Sequence, residues 1–322
     1  MHYRALGQSG IEASIVGFGA WAIGGWMWGG ADEGDAVCAI QASLDHGITL
    51  IDTAPAYGLG ISEEIVGKAI AGRREQVVLA TKCGLAWHTA KGRLFFEQAG
   101  KPVHRYLGAD SIRYELEQSL KRLRTDHIDL YQTHWQDPTT PVEETMTALL
   151  DLKRQGKIRA IGVSNITVET LREYQRFGPV DTDQERYSLI DRNHEAALIP
   201  HCREQGISVV AYSPLAHGLL TGKIGPERKF KGDDLRRNNP RFAPEARAKI
   251  EGMLDRIRPI AKQRGLTLGQ LVIAWTVAQP GVTHALAGAR NPQQAMENAH
   301  AGTVELTSDE VNEINRVFEG AN

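Results

Sequence analysis

The chain has 322 residues, 42% of them hydrophobic, a net charge of −2 with mixed signs, and no basic block. That length is ample for a large core and suits an α/β barrel. The charge argues against nucleic acid or an anionic membrane as the main partner. Three cysteines, Cys38, Cys83 and Cys202, are far apart and form no Cys-x-x-Cys, so they read as reduced thiols of a cytoplasmic protein.

The first residues, MHYRALGQSGIEAS, are polar and lack the basic-then-apolar order of a signal peptide. Tyr3–Leu6 and Ile11–Ser14 flank a Gly-Ser-Gly turn and predict a hairpin. The apolar run Ile15–Trp28 is too short and too rich in glycine to span a bilayer. A repeating order of strand, glycine-bearing loop and helix then begins. Predicted strands are Ile15–Gly19, Thr49–Ile51, Val77–Thr81, Ile128–Thr133, Ile158–Val163, Thr182–Glu185, Ser208–Ala211 and Thr283–Ala287. Between them, Ile112, Leu116, Leu120 and Leu123 share one helix face, with Asp110 as the expected N-cap. A second helix is expected from Val142 to Gln155, stopping at Gly156, and a third over Leu266–Gln279 with Trp275 facing the core. Val304–Phe318 predicts a closing amphipathic helix capped by Ser308. Leu215–Ala248 breaks the rhythm: it is long, charged and rich in Gly, Pro and Arg, as functional or mobile loops are. Asn165-Ile166-Thr167 matches a glycosylation sequon, without consequence in an unsecreted chain.

Continuous apolar strands alternating with helices imply a parallel sheet covered on both faces. Eight of them close into a (β/α)8 TIM barrel, here with an N-terminal β-hairpin and extra helices after strands seven and eight. No composition break or repeat divides the chain, so one domain over residues 1–322 is expected.

The active site of such a barrel lies at the carboxyl ends of its strands. Asp52, Lys82 and His134 end strands two, three and four, and Tyr57 lies in the loop above Asp52. Neighbouring strands are ~4.8 Å apart, so the four can converge. Lys82 paired with Asp52 would favour the phenolate and lower the Tyr57 pKa, making Tyr57 a usable general acid, with His134 orienting the same oxygen. The set suits protonation of a carbonyl oxygen and lacks the nucleophile–base pair of acyl transfer. An Asp–Lys pair at strand ends is equally often structural, and spacing alone leaves both readings open. Asp52 with His134 is short of a metal ligand set.

A protonated carbonyl still needs a hydride, which side chains do not supply. Gly17-Phe18-Gly19-Ala20-Trp21-Ala22 lacks the last glycine of a dinucleotide fingerprint. Gly218-Leu219-Leu220-Thr221-Gly222-Lys223 follows strand seven and suits a phosphate, although its spacing is not that of a P-loop. Arg290, before a helix starting near Pro292, makes a second anion site; a capped helix with a surface arginine is the plainer alternative.

Taken together, DTAPAYGLGISEEIVGKAI, VVLATK, SLKRLRTDHIDLYQTHW, GKIRAIGVSN, AYSPLAHGLLTGK and GARNPQQAMEN resemble the aldo-keto reductase superfamily, in its order, over nearly the whole chain. The similarity is greatest to bacterial members of the general-stress-protein and inositol-utilisation type. The resemblance implies an NADPH-dependent enzyme that reversibly reduces aldehydes, ketones or aldoses, with Asp52, Tyr57, Lys82 and His134 as the catalytic tetrad. It assigns Ser164, Asn165 and Gln184 to the nicotinamide carboxamide and Tyr212 to its ring. Ser213, Pro214, Leu215, Gly218, Leu219, Gly222 and Lys223 match the pyrophosphate loop. Arg290, Gln294, Glu297 and Asn298 match the adenosine-phosphate end, with Arg236 a further candidate. Many members carry Lys and Arg where this chain has Gly288 and Gln294; Arg290 is then the main 2′-phosphate contact, favouring NADPH and leaving NADH open. The chain ends four residues after Phe318, so no long C-terminal loop roofs the pocket and an open, broadly specific site is expected. Trp21, Trp26, Trp28, Trp87 and Trp135 follow strands one, three and four and could clamp a small carbonyl compound or stack on a sugar, or simply pack loops. Cys83 has no base nearby and reads as a small buried residue. The alternative function is an NADPH-binding regulatory protein with slow turnover, though no basic, apolar or extended docking surface is evident. The sequence leaves the oligomeric state undetermined.

Overall fold

The computed structural model describes residues 1–225 and 227–320; Pro226, in the long loop, and the last two residues lie outside the described part. The chain opens with the antiparallel hairpin of β1 (Tyr3–Ala5) and β2 (Glu12–Ser14). Then come β3 (Val16–Gly19), α1 (Glu33–Asp45), β4 (Leu50–Asp52) and α2 (Ile61–Ala69). β5 (Val78–Cys83) is followed by a three-stranded ribbon of β6 (Leu85–Ala86), β7 (Arg93–Gln98) and β8 (Lys101–Arg105), then α3 (Ala109–Leu123). The alternation resumes with β9 (Ile128–Thr133), α4 (Val142–Arg154), β10 (Ile158–Ser164), α5 (Val168–Phe177), β11 (Thr182–Arg186), α6 (Leu198–Glu204) and β12 (Ser208–Tyr212). Two helices follow, α7 (Pro244–Gln263) and α8 (Leu268–Ala278), then β13 (Val282–Ala287), α9 (Pro292–Ala301) and α10 (Ser308–Phe318).

Eight strands close into a barrel in the order β3-β4-β5-β9-β10-β11-β12-β13, every pair parallel, with Ala285 beside Val16 at the seam. This is the expected (β/α)8 barrel, with α7 and α10 as the extra helices. The main core lies between strands and helices. A smaller one fills the barrel interior, where Leu50, Ala80, Leu130, Ala160, Val210 and Leu286 meet. Gly17 is part of that fit, since a Cβ there would sit 2.7 Å from the Leu286 side chain. Leu6, Ile11 and Ala13 of the hairpin join the same cluster and stopper the amino end of the barrel. The carboxyl end is left for chemistry.

Three expectations are corrected. The ribbon after β5 was not foreseen. α3 begins at Ala109 with Gly108 flanking it, so Asp110 is not its cap; the Asp110 carboxylate instead takes Lys91 Nζ at 2.7 Å and the Tyr106 hydroxyl at 2.9 Å, both brought there by the ribbon. α10 is capped by Thr307 rather than Ser308, because Thr307 and Glu310 complete a reciprocal capping box.

Candidate active site

β4 ends at Asp52 and pairs it with Ala80, two residues before Lys82 on β5. Both side chains face the barrel axis, where Lys82 Nζ reaches Asp52 Oδ1 at 2.6 Å, the Thr53 carbonyl at 3.0 Å and the Tyr57 hydroxyl at 3.2 Å. Lys82 is wholly buried, and an ammonium there is tolerable only because all three of its N–H donors are met. Asp52 Oδ2 is held by Gln132 Nε2 at 3.1 Å and Gln184 Nε2 at 2.8 Å. Because Tyr57 accepts from Lys82, its own hydrogen is free, and no acceptor meets it among the described residues. The His134 ring stands edge-on to Tyr57 at 5.6 Å between centroids.

Burial opposes the charge on Lys82, but Asp52 and then Tyr57 outweigh it and raise its pKa. Burial, with a smaller push from Lys82, holds the His134 imidazole well below the usual histidine range, so it is neutral. For Tyr57 the expected direction is reversed. Lys82 does pull the phenol down, but burial is the larger effect and its pKa is raised.

Beside this cluster, Asn165 occupies a left-handed turn (φ 55°) after β10. Its Nδ2 donates to the His134 carbonyl at 2.9 Å and Ser164 Oγ at 3.0 Å, while its Oδ1 accepts from Tyr212 at 2.8 Å. Ser164 donates to the Gln184 carbonyl at 2.6 Å. The four residues expected around a nicotinamide are thus bonded into one patch next to the proton-handling cluster.

A groove of about 860 Å³ runs from Tyr57 and His134 past this patch to the start of α9. Ser213, Pro214, Leu215, Gly218, Lys223, Arg236, Gly288, Arg290, Gln294, Glu297 and Asn298 line it, as do Trp21, Trp26, Trp28 and Trp135. Three expected positions lie off its wall. Leu219 is packed in the main core, and Gly222 turns in a left-handed conformation (φ 66°) against Leu268. Trp87 packs with Ala56, Leu85 and Val103 beneath the ribbon, whose strands draw it away from the mouth. Lys223 and Glu297, assigned to different ends of a dinucleotide, pair with each other at 2.8 Å across the groove. Arg236 forks Asp234 and stacks over Trp28 and Phe230. Arg290 donates to the carbonyls of Trp28 and Gly30, and Asp233 accepts from the amides of Met27 and Gly29. The tryptophan loop is therefore tied down from both sides.

Sequence reasoning missed Phe95 and Phe96 on β7, Arg186 and His217, all on the groove wall. The phenylalanines had a signal: an extended run, then Ala99-Gly100 with both residues left-handed (φ 50° and 73°), then a second extended run. His217 had none, since only the fold buries it; burial, then Arg186, lowers its pKa to about 4.

Cys83 is buried and free, and burial pushes its thiol well up, leaving it inert. Among the described residues no helix is long and apolar enough to cross a membrane, and no cluster of His, Cys, Asp and Glu is placed to hold a metal.

A parallel barrel with a tyrosine, a buried lysine–aspartate pair and a neutral histidine at the inner end of a dinucleotide-sized groove has the frame of a barrel oxidoreductase. The chain belongs to the aldo/keto reductase family, whose model matches residues 15–319. It is 44% identical over 322 residues to the aldo-keto reductase YhdN of Bacillus subtilis, covering 99% of this chain and 94% of that one. It is 41% identical over 308 residues to the NADH-specific methylglyoxal reductase of Escherichia coli, covering 94% of each. Among solved structures it superposes on the glycerol dehydrogenase AKR11B4 of Gluconobacter oxydans with a TM-score of 0.86 at 39% identity, covering 96% of this chain and 92% of that one.

Proposed function

We propose that the protein is an NAD(P)H-dependent reductase of small aldehydes, ketones or aldoses, with Tyr57 as the general acid. The observation that carries this is the Tyr57 hydroxyl, which accepts from Lys82 at 3.2 Å, lines the groove and has no acceptor for its own hydrogen among the described residues. Its raised pKa keeps that hydrogen in place until a substrate oxygen takes on negative charge. Lys82 then offsets the charge left on the phenolate, and Asp52 fixes Lys82. The neutral His134 donates a hydrogen bond to the same substrate oxygen and orients it.

The groove fits a nicotinamide dinucleotide on its own chemistry. Both Nδ2 hydrogens of Asn165 are taken, and Gln184 Nε2 is engaged by Asp52 and Gln132, so the two amides offer only acceptor capacity. That suits the NH2 of a carboxamide. Tyr212 presents its ring beside them. Ser213, Pro214, Leu215, Gly218 and Lys223 line the stretch suited to a pyrophosphate. At the far end Arg290, with the side-chain amides of Gln294 and Asn298, makes the anion site; α9 adds little to it, because Pro292 has no N–H and Asn291 already caps the Gln294 amide. Gly288 keeps the passage open: a Cβ there would come 3.3 Å from the Gly19 carbonyl. The chemistry that the reduced dinucleotide supplies when bound is a hydride for the carbonyl carbon. The aromatic mouth suits a compact carbonyl compound or a sugar face.

The test is consumption of NADPH and of NADH with methylglyoxal, glyceraldehyde and an aryl aldehyde. Tyr57→Phe should abolish turnover and keep dinucleotide binding. Wild-type turnover in that variant, or no dinucleotide binding by the native protein, would overturn the proposal.

A further inference from the structure

Behind the patch that holds Asn165, a pair of carboxyl groups is buried between the barrel and its helices. Side chains alternate along β11. Gln184 points inward to Asp52, so Asp183 and Glu185 point outward, where they are 0% and 3% exposed. Glu185 Oε1 accepts the Ile166 amide at 2.7 Å, and its Oε2 lies 3.3 Å from His194 Nε2. Asp183 is far less well served. Its Oδ2 meets only the Cys202 thiol at 3.6 Å, and its Oδ1 has no donor among the described residues. A buried carboxylate with one weak thiol donor would be costly. The two acids stand two residues apart on the same outer face of β11, both buried. A proton on Asp183, donated to Glu185, removes the conflict. Burial favours that state by raising Asp183 well above the ordinary carboxyl range and Glu185 less far, to about 7.

The turn that Glu185 grips is the one that presents Asn165. Asn165 is held at φ 55°, a left-handed conformation that few residues other than glycine and asparagine adopt. The amide next along the chain, Ile166, is the one Glu185 accepts. We propose that Glu185 is a positioning residue for dinucleotide binding: braced by a hydrogen bond from a protonated Asp183, it locks the Ile166 amide and with it the left-handed Asn165 turn. The inference rests on the function proposed above, through Asn165.

The test measures Kd for NADPH by fluorescence quenching, together with steady-state KM and kcat. Glu185→Met, which removes the acceptor, should weaken NADPH binding roughly tenfold and raise KM alike, with kcat within about twofold. Asp183→Leu should do the same. Asp183→Asn should restore native binding, because its amide donates where the acid proton did. If Glu185→Met does not fold, Glu185→Gln carries the test. It keeps an oxygen for Ile166 but lacks the charge, and should show the same split at roughly threefold. Native Kd in the folded Glu185 variants, or Asp183→Asn as damaging as Asp183→Leu, overturns the proposal. A native protein that binds no dinucleotide overturns the functional reading instead.

Discussion

Tyr57 lies 3.2 Å from the Lys82 ammonium and still holds its proton more tightly than a free tyrosine. Burial of the phenol is the larger effect, and the cation only moderates it. With Tyr57 as the proposed acid, reduction needs the protonated phenol, so its rate should be level through the neutral range and fall only above the ordinary phenol pKa of 10.0. Alcohol oxidation needs the phenolate and should climb with pH over the same range. No acid limb should come from His134, which stays neutral. Profiles of kcat against pH in both directions check this; a reductive rate that halves near pH ~7 would show a phenol tuned down rather than up.

Arg290 is the cation at the start of α9, but its guanidinium already donates to the carbonyls of Trp28 and Gly30. A 2′-phosphate would have to share it with those carbonyls. Arg290→Met should raise KM for NADPH roughly tenfold, as loss of a charge-assisted contact does, and leave KM for NADH within about twofold. Equal effects on the two cofactors would mean that Arg290 serves the tryptophan loop alone. The relative named as NADH-specific, at 41% identity, makes this choice of cofactor a live one within the family.

The barrel was legible because each of its eight strands is a short apolar run closed by turn residues. The strand ends carrying Asp52, Lys82 and His134 fall where periodicity puts them. Local pattern does not report net burial, and so the sign of the Tyr57 shift was lost. Asp110 failed as a cap for a related reason: its partners, Lys91 and Tyr106, depend on what the fold brings near. Ser308 failed for a local one, since Thr307 and Glu310 form a capping box three residues apart that the sequence itself displays. The ribbon bearing Phe95 and Phe96 was readable from Ala99-Gly100, between two extended runs that the strand–helix rhythm does not include.

Trp26 stacks on Phe96 with centroids 5.1 Å apart and planes at 23°, bridging the loop after β3 to β7. Trp135 and Phe95, 5.2 Å apart, continue the same wall. An aromatic pair adds about 0.5–1.5 kcal/mol beyond its buried area. Phe96→Ala should therefore weaken binding of small aldehydes about threefold to tenfold and admit bulkier ketones. The NADPH Kd should not move, because α9 is at the other end of the groove. Comparing kcat/KM for methylglyoxal and a bulky aryl ketone decides it, and an unchanged ratio would remove this stack from substrate selection.

Glu115 is a carboxyl group that the proposed chemistry does not use, buried at the end of β5. It accepts the Gly84 amide at 3.1 Å and the Ser111 hydroxyl at 2.8 Å, next along the chain from Cys83 and Lys82. Burial raises its pKa from 4.5 to about 8, only partly opposed by those hydrogen bonds. Between these values the unfolded chain has released this proton and the folded protein keeps it. The Glu115 contribution to stability is thus complete below about pH 4.5, declines as pH rises and is gone above about 8. Glu115→Gln keeps an acceptor for Gly84 and cannot ionise. Its stability relative to the native protein should rise across this window and level off above it, by on the order of a few kcal/mol. Urea unfolding at pH ~5 and ~9 measures the difference. Curves for the two proteins that stay parallel between those conditions would mean that Glu115 is already ionised in the folded state, its charge carried by Gly84 and Ser111.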